Sequence, residues 1–315
     1  MSVFLGIDTS NYTTSAALYD PATDSIRQKK QLLPVASGKC GLRQSDAVFH
    51  HTRQLPSLLE ELLGETEEEI AAIGVSVRPR DAEGSYMPCF TVGHGTARSL
   101  SAALRVPLYP FSHQSGHIAA ALFSAGCRDW LGKPFFAFHV SGGTTEAVLV
   151  TPEQEAPFSV RLVAGTLDLH AGQLIDRIGV MLGLDFPCGP ALEKLAAANT
   201  EPLRARATLK GCDCCLSGVE NACRRYYEHG GSREATAALC FLYIEKTLMA
   251  MGEALTAEYG EKPVLFAGGV MSNRLMRTSL SGRFDARFAE PAFSADNAAG
   301  TAYLSAAVHN HHQNQ

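Results

Sequence analysis

The chain opens with apolar residues in a strand-like pattern. Residues 3–8 (VFLGID) form an apolar run that ends at the polar turn TSNY, and residues 13–20 (TTSAALYD) continue as a second run. Two such runs joined by a short polar turn predict a β-hairpin. A further strand is predicted over residues 25–32.

The pattern then changes to helical spacing. Residues 45–63 and 91–104 place apolar side chains three and four positions apart, and the apolar run 70–77 lies between them. This spacing predicts two helices around a buried strand. Residues 106–111 (VPLYPF) predict a short strand leading into another helix. Strands that alternate with helices in this way predict an α/β protein.

The strand–turn–strand arrangement begins again in the middle of the chain. Residues 134–140 (PFFAFHV) read as a strand, SGGTT as a glycine turn and residues 146–152 as the returning strand. The recurrence predicts two similar halves. We divide them into an N-terminal lobe, 1–110, and a C-terminal lobe, 111–315, with the last helix packing back on the first lobe. Ligands are expected beyond the carboxyl ends of the strands, at these turns.

Further elements are predicted along the second half. A buried strand over residues 262–270 (KPVLFAGGV) ends in a second glycine pair, and a last helix follows the segment FSADN. Helical periodicity predicts the other elements, over residues 170–182, 190–199, 216–228, 233–258 and 273–280.

Composition limits the function classes. The net charge of −5 gives no global basic field, so a nucleic-acid partner would need a local patch. Candidate patches are RQKK (27–30), the arginines of CRRYY (223–227) and Arg274, Arg277 and Arg283, each of which can equally be a solvated face. The N-terminus lacks a basic region with a cleavage site, and no apolar run reaches the length of a membrane span, so we expect a cytoplasmic protein.

Nine cysteines are many for such a chain, and several fall in one short segment. A long chain without a secretory signal is not expected to carry a disulfide framework. Cys212, Cys214 and Cys215 lack the paired C-x₂-C spacing of a zinc ribbon, so ordinary thiols are favoured over a soft-metal site.

Two histidines suggest a metal site. His113 and His117 follow a proline and a serine typical of a helix start, and their spacing puts both imidazoles on one helical face. Asp296 is the best third ligand, and two histidines with one carboxylate suit Zn²⁺ or Fe²⁺ with positions left open. Histidines at this spacing also occur without a metal. His139 and His170 are two further imidazoles that could contribute a metal ligand, less favoured than His113 and His117.

The two glycine turns suggest an anion or nucleotide site. Gly142 and Gly143 let the backbone approach a ligand, although a simple hairpin turn needs the same residues. Asn273, after the second glycine pair, can bind a base or ribose, or can simply cap a helix. Asp168 and Asp176 are spaced to share one helical face and to accept hydrogen bonds from ribose, with solvated helix acids as the alternative. Two glycine turns together favour a nucleotide cleft.

In order along the chain, these segments resemble the tRNA threonylcarbamoyladenosine transferase family, TsaD and its archaeal and eukaryotic relatives. The likeness runs from about residue 3 to 305 and includes the motifs GIDTSNYTTSAALYD, HQSGH, HVSGGTTEAVLV, DRIGVMLGLDFPCGPALEKLA, SGVENA, AGGVMSNRLMR and SADNAAGTAYL. The resemblance implies a two-lobe actin-like, sugar-kinase-like ATPase fold. It also implies one divalent metal, Fe²⁺ or Zn²⁺, and ATP or threonylcarbamoyl-AMP as nucleotide ligand. The implied partners are tRNA and the other subunits of a threonylcarbamoylation complex, with no membrane.

The resemblance also implies site residues. The metal ligands would be His113, His117 and Asp296. The residues matching the family's nucleotide site are His139, Val140, Ser141, Gly142, Gly143, Asp176, Gly189, Glu193 and Asn273. The implied reaction is attack by the exocyclic amine of the adenosine beside the tRNA anticodon on the carbamoyl carbon of threonylcarbamoyl-AMP, with AMP leaving. No residue is assigned as general base.

The chain departs from the family pattern around this core. Thr13, Thr144, Leu169 and Gln173 stand where the family has acids or a histidine. These changes bear on the acceptor more than on the nucleotide. The alternatives are therefore carbamoyl transfer to a small molecule, or a catalytically idle nucleotide-binding scaffold that pairs with a related subunit. A metalloprotease is disfavoured, because HQSGH lacks the glutamate of H-E-x-x-H.

Overall fold

The computed structural model describes residues 2–10, 12–34, 42–153, 157–293 and 298–313. The chain divides into two compact units. The first unit comprises Met1–Leu131, Pro152–Ser159 and Ala292–Gln315, and the second comprises Gly132–Thr151 and Val160–Pro291. The contacts group residues 111–131 with the first unit, whereas the sequence division at residue 110 placed them in the C-terminal lobe.

The elements follow the predicted alternation of strands and helices. The strands are β1 (Ser2–Ser10), β2 (Thr13–Asp20), β3 (Ser25–Leu32), β4 (Glu69–Arg78), β5 (Leu108–Ser112), β6 (Phe135–Val140), β7 (Thr145–Thr151), β8 (Ser159–Gly165), β9 (Leu209–Lys210), β10 (Asp213–Cys214), β11 (Val264–Ala267) and β12 (Ala286–Phe288). The helices are α1 (Gln44–Gly64), α2 (Phe90–Leu104), α3 (His113–Ser124), α4 (Ala171–Met181), α5 (Gly189–Ala197), α6 (Ser217–Glu228), α7 (Arg233–Tyr259), α8 (Arg274–Ser281) and α9 (Ala299–Gln313).

The two units have the same sheet topology. The first sheet has the order β3-β2-β1-β4-β5, and the second has the order β8-β7-β6-β11-β12. In each sheet the central strand pairs antiparallel with the strand that follows it, and parallel with a later strand reached through helices. The prediction of duplicated α/β halves built on strand–turn–strand units is therefore confirmed.

Burial explains why the central strands read as apolar runs. Every residue of β2, and every residue of β1 after Ser2, is buried. A strand covered on both faces is apolar along its length instead of alternating. β3 lies at the sheet edge, where Arg27 and Lys29 hinder pairing with another chain. β8 was not predicted; it lies at the sheet edge, and most of its residues are only partly buried.

The core of the second unit contains three stacked phenylalanine rings and the long buried helix α7. Phe266 stacks between Phe138 and Phe288, with ring centroids 5.0 and 5.2 Å apart. Of the described helices, α7 is long and apolar enough to cross a membrane by length and composition alone. Most of its apolar stretch is buried inside the unit, which is the pattern of a core helix.

In the first unit, α9 lies directly against α3 and the sheet. A Cβ added to Gly300 would be 1.8 Å from the carbonyl oxygen of Gly116 in α3. A Cβ on Gly6 of β1 would be 2.4 Å from the Ala298 carbonyl oxygen, and one on Gly74 of β4 would be 2.2 Å from that of Thr301. These backbone-to-backbone contacts are open only to glycine, and they fix the position of α3.

We expect Gly300→Ala to lower the free energy of unfolding by about 1–3 kcal/mol, because the new methyl group collides with backbone that cannot move aside. Gly95→Ala is the matched control, since a Cβ at this helical position meets nothing within 4 Å. Replacing a helical glycine by alanine there should raise stability by roughly 0.5–1 kcal/mol. Urea unfolding of both variants measures the difference, and equal effects would contradict the proposed packing.

Candidate metal and nucleotide sites

The start of α3 is held by a network of polar side chains in the first unit. Ser112 caps the helix, and its hydroxyl accepts a hydrogen bond from the Ser115 amide at 3.0 Å. Asp81, in the loop after β4, accepts from the hydroxyls of Ser112 and Ser115 at 2.7 and 2.6 Å. Burial acts to raise the pKa of Asp81, but the hydrogen bonds from Ser115, Ser112 and Arg78 outweigh it and lower the pKa. An ionised Asp81 therefore anchors the first turn of α3.

The two predicted histidines converge at this end of α3. The Nε2 atoms of His113 and His117 are 2.9 Å apart. Two nitrogens bound tetrahedrally to one Zn²⁺ would be separated by roughly 3.3 Å, given Zn–N bonds of about 2.0–2.1 Å. The observed separation is within a few tenths of an ångström of that value. The imidazole pair thus fits one metal ion as two of its donors.

Asp8 orients this pair from the end of β1. Its Oδ2 is 2.7 Å from Nδ1 of His113, and its Oδ1 accepts from the Ser10 amide at 2.9 Å. Asp8 is 1% exposed. Burial acts to raise its pKa, but the charge and hydrogen bond of His113 outweigh this effect and lower it. An ionised carboxylate only accepts, so Nδ1 of His113 carries the proton that it donates to Asp8, and Nε2 is the nitrogen that faces His117.

The sequence analysis did not assign Asp8. Asp8 and His113 are 105 residues apart, and only the paired strands and α3 bring them together. The available signal was the position of Asp8 at the carboxyl end of the first strand, where α/β sheets place ligand-binding groups.

The third predicted ligand, Asp296, lies outside the described residues. Within the described ranges, no group of three or more His, Cys, Asp or Glu side chains is placed to hold a metal ion. The described part of the site therefore consists of two imidazole donors and the carboxylate that orients one of them.

A further histidine, His51 of α1, is buried beside this cluster. Thr14 donates its only hydroxyl proton to Gln54 at 2.6 Å and lies 2.8 Å from Nδ1 of His51. His51 therefore donates its Nδ1 proton to Thr14 and is neutral. Burial lowers its pKa to about 4, against the opposing effect of the Asp8 charge. Sequence reasoning missed His51, whose setting depends on contacts distant in sequence.

In the second unit, the backbone of the first glycine turn, residues 141–144, is hydrogen-bonded to the side chain of Ser141. Ser141 Oγ accepts from the Gly143 and Thr144 amides at 3.4 and 3.1 Å. A Cβ added to Gly142 or Gly143 would meet nothing within 4 Å, so one face of the turn is open. The turn therefore offers fewer free backbone amides to an anion than the glycine pair predicts, because the Gly143 and Thr144 amides already donate to Ser141.

The N-terminus of α4 lies against this turn. A Cβ on Gly172 would be 2.6 Å from the Gly142 amide nitrogen, and the Gly172 amide donates to the Ser141 carbonyl at 3.1 Å. His170, the residue before α4, is two residues from Gly172, which contacts the turn. Val140 ends β6 beside the second glycine pair, since a Cβ on Gly268 would be 2.3 Å from its carbonyl oxygen. His139 pairs in register with Ala267 of β11.

Asn273 and Glu193 meet at the start of α8. Asn273 is 3% exposed and caps the helix, because its Oδ1 accepts from the Met276 amide at 3.0 Å. Its Nδ2 is buried without a hydrogen-bond partner in the described part of the chain. Glu193 accepts from the Arg274 amide at 3.1 Å. Asn273 therefore caps a helix, as the simpler alternative proposed, and it also retains one unused donor.

The two aspartates of the α4 region have separate roles. Asp176, on α4, accepts from the Cys188 amide at 2.9 Å, next to Gly189 at the start of α5. Asp168 accepts from the Leu216 amide and the Ser217 hydroxyl, at 2.7 and 2.6 Å, at the start of α6. The prediction that both share one helical face is wrong, because α4 begins at Ala171, after Asp168.

The cysteine segment contains thiols. All eight described cysteines are free, including Cys212, Cys214 and Cys215. Burial is the main cause that raises the pKa of Cys212 and Cys214 to about 11, and Glu258 adds to it at Cys212. Thiols with raised pKa are poor metal ligands.

We expect His51 to make stability depend on pH. Its pKa is about 4 in the folded protein against an ordinary value of 6.5, so it stabilises the fold fully above pH 6.5. This contribution, up to about 3 kcal/mol, is lost as the pH falls from 6.5 towards 4, because the unfolded chain takes up the proton first. Urea unfolding between pH 4 and 8 should show a shallower dependence for His51→Gln than for the wild type. The same dependence in both proteins would contradict a buried neutral His51.

Known proteins resemble this chain over most of its length. The family model for TsaD, tRNA N6-adenosine threonylcarbamoyltransferase, matches residues 36–303. The tRNA N6-adenosine threonylcarbamoyltransferase of Methanopyrus kandleri is 30% identical, over 91% of this chain and 81% of the relative. The protein of the same name from Thermofilum pendens is 28% identical, over 98% of this chain and 89% of the relative.

Solved structures support the fold. Full-length HypF in its phosphate- and nucleotide-bound form aligns with a TM-score of 0.59 at 12% identity, over all of this chain and 47% of HypF, so the chain spans about half of that protein. A ROK family glucokinase from Streptomyces griseus, in complex with glucose and AMPPNP, aligns with a TM-score of 0.54 at 10% identity, over 98% of this chain and 99% of the kinase. At these identities the likeness shows the fold alone. The chain belongs to the TsaD family of tRNA N6-adenosine threonylcarbamoyltransferases, and it is a transferase with the actin-like, sugar-kinase-like fold.

Proposed function

We propose that this protein transfers a threonylcarbamoyl group from threonylcarbamoyl-AMP to the exocyclic amine of the adenosine beside the tRNA anticodon, and that it needs one divalent metal, Fe²⁺ or Zn²⁺. The observation that carries the proposal is the convergence of His113 and His117, 2.9 Å apart, with His113 oriented by the buried Asp8. A nucleotide-binding scaffold without activity has no need of such a donor set.

The metal would be held by His113, His117 and Asp296. Asp296 is included on the family resemblance and on its chemistry as a carboxylate, because it lies outside the described residues. When bound, the metal supplies Lewis acidity that polarises a carbonyl or neutralises a phosphate.

The adenine nucleotide, ATP or threonylcarbamoyl-AMP, would bind the second unit. The open face of the turn at Gly142 and Gly143 suits a phosphate, which can approach the backbone where no Cβ intervenes. The unused Nδ2 donor of Asn273 suits a nucleoside acceptor atom, since a buried donor without a partner is costly. His139, Val140 and Ser141 form the strand end that leads into the turn. Asp176 of α4 accepts from the Cys188 amide beside Gly189, and Glu193 of α5 accepts from the Arg274 amide at the start of α8. Asp176, Gly189 and Glu193 complete the proposed set.

The reaction forms one bond and breaks one. The adenosine amine attacks the carbamoyl carbon, and the bond from that carbon to the phosphate oxygen of AMP breaks. The proton released by the amine goes to the departing phosphate, so no side chain of the protein is required as general base. The target base must be unstacked in its loop, as bases of single-stranded RNA are when proteins read them. We propose that the reaction takes place in the cytoplasm together with the partner subunits of a threonylcarbamoylation complex.

We expect His113→Ala to abolish stoichiometric Zn or Fe binding, because it removes one of the two described donors. Asp8→Asn should weaken metal affinity about 10–100-fold, since it removes the charge that orients His113. Metal content by elemental analysis, with affinity from competition against a chromophoric chelator, measures both effects. His94→Ala, on α2, is the control and should retain the metal. Full metal content in His113→Ala would exclude the proposed site.

The transfer reaction is tested by incubating the purified protein with threonylcarbamoyl-AMP and unmodified tRNA, with and without candidate partner subunits. We expect threonylcarbamoyladenosine in the digested tRNA by mass spectrometry. Asn273→Ala should lower kcat/KM for the donor about 5–150-fold, the equivalent of about 1–3 kcal/mol for one buried hydrogen bond. Asn221→Ala, exposed on α6, is the control. Transfer to a small amine, with no product in tRNA, would instead support the small-molecule alternative.

A further inference from the structure

We propose that a fixed, extended strip of the second unit binds the phosphodiester backbone of an RNA strand through Arg204, Arg206 and Lys210. The strip comprises residues 203–210, which follow α5 and end with β9 of the β9–β10 hairpin. The inference rests on the proposed function, because it assigns to tRNA a docking surface that neither the family motifs nor the sequence analysis singled out.

Exposure along the strip alternates with a period of two. Arg204, Arg206, Thr208 and Lys210 are exposed, whereas the intervening residues are partly buried. Leu203 and Leu209 pack against the core of the second unit. In an extended chain, side chains two residues apart on one face are separated by about 6.5 Å. The cations therefore form a row on one side of the strip.

Hydrogen bonds hold both ends of the strip. Glu201, just before it, accepts from the hydroxyls of Tyr226 and Ser232 at 2.9 and 3.1 Å. At the other end, the Thr208 carbonyl accepts from the Cys215 amide at 3.2 Å, and Lys210 pairs in register with Asp213. A segment that is already ordered loses little further backbone entropy on binding.

No acidic side chain of the described residues forms an ion pair with the cations of the strip. In the described part of the chain, Arg204, Arg206 and Lys210 take part in no ion pair. Because the chain as a whole carries a net charge of −5, an RNA strand needs a local cationic surface of this kind.

Each patch that the sequence analysis named contains cations that are already paired, although Lys30, Arg225 and Arg274 form no ion pair in the described part of the chain. Lys29 lies 2.7 Å from Glu65, and Arg27 pairs with Glu68. Arg224 lies 3.4 Å from Glu220, and Arg283 lies 2.7 Å from Glu253. Arg277 donates to the Met271 and Ala289 carbonyls. These cations are engaged with their own chain, so the strip is the better candidate for binding phosphates.

The test compares two triple variants with the same change in net charge. R204Q/R206Q/K210Q removes the cations of the strip, and R43Q/R53Q/R98Q removes three exposed cations of the first unit. Binding of unmodified tRNA is measured by fluorescence anisotropy between 50 and 300 mM KCl. We expect the strip variant to bind about 10–100-fold more weakly near 100 mM salt. We also expect its slope of log K against log salt to be smaller by about 2, at roughly 0.7 for each phosphate that the variant no longer neutralises. The control should stay within about twofold of the wild type.

Three results separate the possible failures. Wild-type affinity and slope in the strip variant would overturn the inference, and so would an equal weakening in both triple variants. Unchanged tRNA binding, together with abolished binding of an acidic partner subunit, would assign the strip to a protein instead. A wild-type protein that neither binds nor modifies tRNA would count against the proposed function itself. Metal content and thermal stability of the strip variant should equal those of the wild type, which shows that its fold is intact.

Discussion

The candidate metal site depends on one buried hydrogen bond, between the Asp8 carboxylate and Nδ1 of His113. A charge with 1% exposure is costly unless it is paired, and Asp8 has two close partners, the imidazole and the Ser10 amide. The bond joins the central strand of the first sheet to the first residue of α3. It fixes the position of the imidazole ring, and therefore which nitrogen faces His117.

The surrounding structure limits how far that geometry can change. Asp81 holds the first turn of α3 through Ser112 and Ser115. On another side, Gly300 of α9 contacts the helix backbone at Gly116. Because backbone contacts of this kind have no side chain that can repack, the helix has little freedom to slide or rotate. The imidazoles are thus preorganised by β1, the loop after β4 and α9, three segments far apart in the chain.

Local patterns predicted the elements well and the contacts poorly. Helical periodicity predicted α4 to α7 to within about two residues at each end, and the spacing of His113 and His117 placed them correctly on one face. Each of these two patterns, the helical periodicity and the histidine spacing, depends on residues that are only a few positions apart in the sequence. The role of Asp8 could not be predicted in this way, since its partner is 105 residues away. Asp168 was misassigned for a related reason: its partners, Leu216 and Ser217, begin a helix almost fifty residues later.

Three of the positions where the chain departs from the family pattern, Thr13, Leu169 and Thr144, have packing or turn roles in the fold. Thr13 is 5% exposed and pairs in register with Ser10 in the first hairpin, and Leu169 is 4% exposed in the core of the second unit. The Thr144 carbonyl closes the glycine turn by accepting from the Ser141 amide at 2.7 Å. By contrast, the hydrogen bonds between Asp8 and His113 and between His113 and His117 join side chains whose nitrogens are able to bind a metal, and this arrangement is the observation on which the proposed metal site rests.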